Sequence, residues 1–165
     1  MTQALLPPER AMTGREYADL VAAYVVRNFE ARGIVVYREV FVGKSIIGKN
    51  RIIDILVIEQ SRQEGLAIEC KYQSTQGTVD EKIPYALDDM RAMRMPGIIV
   101  YAGGGFSPGV LHMLRASDMA AYCLPTRDLA PAADTTRELD HVLAMRFGWW
   151  DLVVDERKRF RLTPG

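Results

Sequence analysis

The chain has 165 residues, 48% hydrophobic and 25% charged, which suits one globular domain with a continuous core and argues against two. Its formal net charge is zero, so no global field draws it to a polyanion, and any nucleic-acid surface must come from local clusters of Lys and Arg. No apolar stretch reaches the roughly 20 residues that span a bilayer and the first residues lack a secretory pattern, so no membrane partner and a cytoplasmic location are expected.

Residues 1–12 carry Pro7 and Pro8 without an apolar period and are expected to form a flexible lead-in. Thr13 then opens a helix predicted to run to about Ala31, with Tyr17, Leu20, Val21, Tyr24 and Val25 as its apolar stripe and Gly33 as its stop. Three Ile- and Val-rich runs follow, Ile34 to Phe41, Arg51 to Ile58 and Leu66 to Tyr72, and their short polar connections predict an antiparallel meander. A second helix is expected from about Asp80 to Met95, because Pro84 is best tolerated in a first turn and Pro96-Gly97 ends the pattern. Ile98 to Tyr101 reads as a buried strand, Ser107-Pro108 as the N-cap and first position of a third helix, and Ala120 to Leu124 as a short strand. A last helix is expected near Leu139 to Phe147, before Trp149, Trp150 and a basic end with Arg157, Lys158, Arg159 and Arg161.

This order predicts an α/β fold with a mixed sheet flanked by helices, since strand-helix-strand after the meander requires a right-handed crossover. Residues 13–124 are assigned to the core and 125–165 to an extension packed on the same domain. Cys70 and Cys123 lie in apolar strand contexts without CxxC or Cys/His spacing, and His112 and His141 lack metal-ligand spacing, so buried thiols and ordinary helix histidines are expected.

In the third run, alternation sends Leu66, Ile68, Cys70 and Tyr72 to one face and Ala67, Glu69, Lys71 and Gln73 to the other. The second run is apolar except at Asp54, where an uncompensated carboxylate would be costly. If the hairpin closes with Ile58 opposite Gly65, Leu56 faces Ala67 and Asp54 comes opposite Glu69, with Cβ atoms about 5 Å apart. Two anions that close repel, so one binds a proton or both share a cation. Hard oxygen ligands suit Mg²⁺, with Mn²⁺ as substitute, and Lys71 on the same face is placed to handle a water and stabilise a phosphorane-like transition state. The competing reading of Asp54 is a structural carboxylate paired with Arg51 or Lys71.

Asp54 followed after a hairpin by Glu69-Cys70-Lys71, with a preceding helix bearing Glu16, resembles the PD-(D/E)xK nuclease superfamily, whose restriction-endonuclease-like core has the element order αβββαβ. The resemblance covers Gly14 to Ala102 and is strongest to archaeal Holliday-junction resolvases and compact restriction or phage-encoded nucleases. It implies a DNA endonuclease with Asp54, Glu69 and the Cys70 carbonyl as metal ligands, Lys71 as the water-handling base, and Glu16 as an outer ligand. Gln73 extends the motif to Glu-x-Lys-x-Gln, as in some nucleases of the group. Ile53 stands where the superfamily's motif has proline.

Glu16 fits equally well as the return partner in a Thr13-Gly14-Arg15-Glu16 capping box, and Gln73 as a partner for loop backbone. Lys44, Lys49 and Arg51 around the first hairpin turn, and Lys82 on the second helix, are candidate phosphate contacts. Cutting both strands with one site per chain favours a homodimer. Gly105-Phe106-Ser107-Pro108-Gly109 matches a serine-hydrolase pattern but fails, because Pro108 has no N–H for an oxyanion hole. A DNA-binding or assembly protein without catalysis is the rival of another class, and divalent-metal dependence separates the two.

Overall fold

Thr13 closes both halves of a capping box with Glu16 and starts α1 (Gly14–Phe29), which ends in a 3-10 turn, Glu30–Arg32, and left-handed Gly33. The computed structural model describes residues 12–154 and 156–165; the expected lead-in lies outside them except for Met12, which packs on the core. The meander follows as β1 (Ile34–Lys44), β2 (Asn50–Glu59) and β3 (Glu64–Tyr72). The connection continues through α2 (Val79–Ala92), β4 (Gly97–Ala102), α3 (Pro108–Ala116), β5 (Ala120–Tyr122) and α4 (Arg137–Phe147).

The five strands lie in the order β1-β2-β3-β4-β5, antiparallel through β3 and parallel beyond it. The predicted register holds from Ile58–Gly65 through Leu56–Ala67 but stops at Ile55–Ile68, so Asp54 and Glu69 are not the ladder partners expected. Alternation divides β3 between two apolar layers. Leu66, Ile68 and Cys70 pack with α1 and α4, where Leu139, Leu143, Ala144 and Phe147 are buried, so α4 closes the same core as α1. Ala67 packs on the opposite side with Ile83, Leu87 and Met90 of α2 and Leu114 of α3.

The helix boundaries differ from expectation for local reasons. Pro84 falls in the second turn of α2, where it forgoes the bond to the Asp80 carbonyl on an exposed face, and the helix stops at Ala92. Ser107 caps α3 through the Val110 N–H, with Pro108 at its first position as expected. Past α4, left-handed Gly148 turns the chain so that Trp149 stacks on Phe29, ring centroids 5.4 Å apart, while Trp150 stays exposed.

Candidate active site at the parting of β2 and β3

β2 and β3 part at the acids. The ladder's last pair is Ile55 with Ile68, although β3 continues to Tyr72 through its pairing with β4. A continued ladder would bring Cys70 to the Ile53 backbone; instead the Cys70 N–H donates to Asp54 Oδ2 at 2.7 Å. Asp54 is thereby held by β3 at the place where the hydrogen bonds between β2 and β3 give out, within electrostatic reach of Glu69. Arg38 fixes the arrangement from β1, donating to the Asp54 carbonyl and pairing with Asp19 at 3.1 Å.

Glu69 is partly buried and carries the electrostatic tension of the pair. Burial and then the Asp54 charge raise its carboxyl to about 7, against the opposing pull of Lys71, whose Nζ lies 3.3 Å from Glu69 Oε1. One nearby ammonium does not offset two carboxylates in this setting. In a β-strand the N–H and C=O of one residue share an edge, so the Cys70 carbonyl faces the parted edge with Asp54. A cation here would meet oxygen donors from Asp54, Glu69 and Cys70, which fits Mg²⁺ or Mn²⁺. The Cys70 thiol is buried on the opposite face and takes no part. No group of three or more His, Cys, Asp or Glu suited to a metal occurs among the described residues, so a bound ion would need carbonyl or water ligands besides the acids.

Glu69 and Lys71 open into a cleft of about 260 Å³ between the β1–β2 hairpin and α2, lined also by Ser45, Lys49, Arg51, Lys82 and Tyr85. Lys49 and Lys82 are exposed on its rim. Lys44 sits at the hairpin base, with Nζ 2.6 Å from Asn50 Oδ1. Arg51, expected to meet phosphate, instead grips Asp89 on α2 at 2.7 and 3.0 Å, and both side chains are largely buried. Its guanidinium fastens the hairpin to the helix.

Glu16 and Gln73 are not brought into the cleft. The Glu16 carboxylate accepts from the Thr13 N–H at 3.1 Å and borders another hollow with Leu20, Tyr72 and Arg127. Gln73 is buried; its amide donates to Asp80 and to the Gly105 carbonyl and accepts from the Asp80 N–H. Asp80 completes the knot by accepting from the Ser107 N–H. Sequence reading missed Asp80, Asp89 and Arg38, because each acts through a partner distant in the chain. Gly103 and Gly105 carry the loop after β4 against the backbone of Gln73 and Thr75, where a Cβ would collide.

The PD-(D/E)XK nuclease superfamily domain model matches residues 13–150. The chain belongs to this superfamily. The matched span of this PD-(D/E)XK chain takes in Asp54 and Glu69-Cys70-Lys71. The match extends into α4, consistent with that helix closing the core. No curated protein matches. Solved structures similar to this PD-(D/E)XK chain include a repair endonuclease from Pyrococcus abyssi, at 14% identity over 67% of this chain and 47% of that one, TM-score 0.38. Others are EndoMS in a double-stranded DNA complex, at 19% identity over 71% and 47%, TM-score 0.37, and a protein of unknown function, at 18% over 59% and 53%, TM-score 0.37. The chain thus spans about half the length of the solved chains it matches.

Proposed function

We propose that this nuclease-superfamily member is a divalent-metal-dependent DNA endonuclease, with Asp54, Glu69 and the Cys70 carbonyl holding Mg²⁺ or Mn²⁺. The observation that carries the reading is the apposition of two acids, Asp54 held by the Cys70 N–H and Glu69 lifted to about 7 by burial and the Asp54 charge, with Glu69 opening beside Lys71 into a cleft. The ion would supply Lewis-acid polarisation of the scissile phosphate and a lowered pKa for the attacking water. Asp54 and Glu69 supply oxygen ligands whose aim is set by the strand backbones. Lys71 orients the water through its ammonium and stabilises the charge that builds on the phosphoryl oxygens. Lys44, Lys49 and Lys82 contribute phosphate contacts, while Arg51 holds the hairpin that presents the first two.

Glu16 and Gln73 support the site from outside: Glu16 as the cap that fixes α1, Gln73 as the tie between β3 and α2. We assign the active form to a homodimer, one site per strand, acting in the cytoplasm, where two buried free thiols stay reduced.

Supercoiled plasmid tests the chemistry. Wild type nicks it only with Mg²⁺ or Mn²⁺, and Asp54→Asn and Lys71→Ala each slow nicking at least about a hundredfold. Variants that cut like wild type would sink the assignment. Metal-independent shift of the same DNA, with no cutting under any divalent ion, would favour a non-catalytic binder. A four-way junction assayed against linear duplex of equal length then reads the substrate form, since a resolvase cuts the junction in paired nicks.

A further inference from the structure

The hairpin tip between β1 and β2 presents Ile46 and Ile47 side by side, 50% and 59% exposed, with Lys44 before them and Lys49 after. Two neighbouring aliphatic side chains on a turn, with no core behind them, contribute little to folding. The turn is nevertheless held firmly. The Ser45 N–H donates to the Lys49 carbonyl at 2.7 Å, Gly48 takes a left-handed φ of 79°, and its N–H returns to the Ser45 carbonyl at 2.9 Å. From α2, Asp89 accepts the Ile46 N–H at 3.1 Å while it grips Arg51. A rigid apolar point between cations thus stands at the mouth of the cleft that holds Glu69 and Lys71.

From this we infer that Ile46 and Ile47 form a wedge that enters the base stack of duplex DNA while Lys44 and Lys49 hold the flanking phosphates. The inference rests on the nuclease reading and deepens it by naming the substrate class: duplex with a base step that opens readily, as at pyrimidine–purine or mispaired steps. Isoleucine makes no hydrogen bond to a base edge, so it selects for ease of unstacking rather than for sequence. Its β-branched side chain has little rotamer freedom to lose on insertion. The kink that insertion causes would turn the backbone toward Lys49, Lys82 and the acid pair. Lysine-flanked isoleucines also suit an anionic bilayer surface, but the tip's place on the rim of the cleft favours DNA.

The test compares wild type with Ile46→Ser/Ile47→Ser, exposed positions at which an unchanged melting temperature certifies folding. Binding is read first, from duplexes carrying 2-aminopurine, and cutting second, after Mg²⁺ is added. Wild type raises the fluorescence, and the double variant loses the rise and cuts fully paired duplex about tenfold or more slowly. On a duplex with a two-nucleotide bulge, whose stack is already open, the deficit shrinks to within about threefold. Equal cutting of paired duplex by both proteins overturns the wedge and leaves the nuclease reading standing. Wild-type binding to phosphatidylserine vesicles that the variant loses, with duplex cutting unchanged, overturns it in favour of a bilayer contact. A wild type that cuts no DNA with Mg²⁺ or Mn²⁺ overturns the nuclease reading instead, and a wild-type fluorescence rise that the variant loses still supports the wedge.

Discussion

Glu69 couples the chemistry of the site to the stability of the fold. Its carboxyl stands near 7 in the folded chain against an ordinary value of 4.5, so the metal-free fold binds this proton more tightly than the unfolded chain does. The associated stability is fully present below about 4.5 and is lost as pH rises through 7. Asp89 and Glu59 are shifted downward by their hydrogen bonds and weaken the fold only at lower pH, outside that window. With EDTA present, the melting temperature should therefore fall between pH 5 and pH 8, and Glu69→Gln should flatten the fall. Mg²⁺ should raise the melting temperature more at pH 8 than at pH 5, and an equal rise at both would argue against ion binding at Glu69. That Glu69 and Lys71 share one face of β3, and that Asp54 interrupts an apolar β2, was legible in sequence because both are local patterns. The bond from the Cys70 N–H to Asp54 was not, because it requires β2 and β3 to part.

Elements carry the geometry that the acids use. The β1–β2 hairpin is pinned to α2 by the Arg51–Asp89 pair, mostly withdrawn from solvent, with the Ile46 amide on the same carboxylate. Arg51→Ala leaves Asp89 without its cation and should cost about 2–4 kcal/mol in chemical denaturation, together with faster hydrogen exchange at the Ile46 amide. Unchanged exchange at that amide would show the hairpin to be held by something else. Strand and helix order was readable from periodicity and from Gly33, Pro96-Gly97 and Ser107-Pro108, and the β2–β3 register followed from the length of the turn. Arg51 misled because its sequence neighbours Lys44 and Lys49 are exposed cations, whereas its own partner lies 38 residues away. Gln73 continued the β3 alternation on paper, yet β3 ends at Tyr72 and the amide turns to Asp80.

At the scale of the whole molecule, zero net charge provides no general field toward a polyanion, so the proposed phosphate contacts rest on Lys44, Lys49 and Lys82 alone. If Lys44, Lys49 and Lys82 each neutralise one phosphate, the logarithm of the affinity should fall with the logarithm of salt concentration at a slope of about −3 per protomer. Lys49→Ala should reduce that slope by about one, and a slope near zero would remove these residues from the interface. Size-exclusion chromatography with light scattering, with and without duplex, reads whether one or two protomers bind. How two protomers would meet was not legible in the sequence, because an interface leaves no periodicity of its own.

The loop after β4 gives a distant position unusual leverage. Gly103 and Gly105 let two backbones lie together without side chains between them, and the knot through Gln73 and Asp80 passes that closeness on to the first turn of α2, the helix that bears Lys82 and Asp89. A single added methyl at Gly105 would act as a shim, tilting the helix that forms one wall of the cleft. Such a change, remote from both acids and silent in charge, should look in kinetics like damage to the reacting groups themselves.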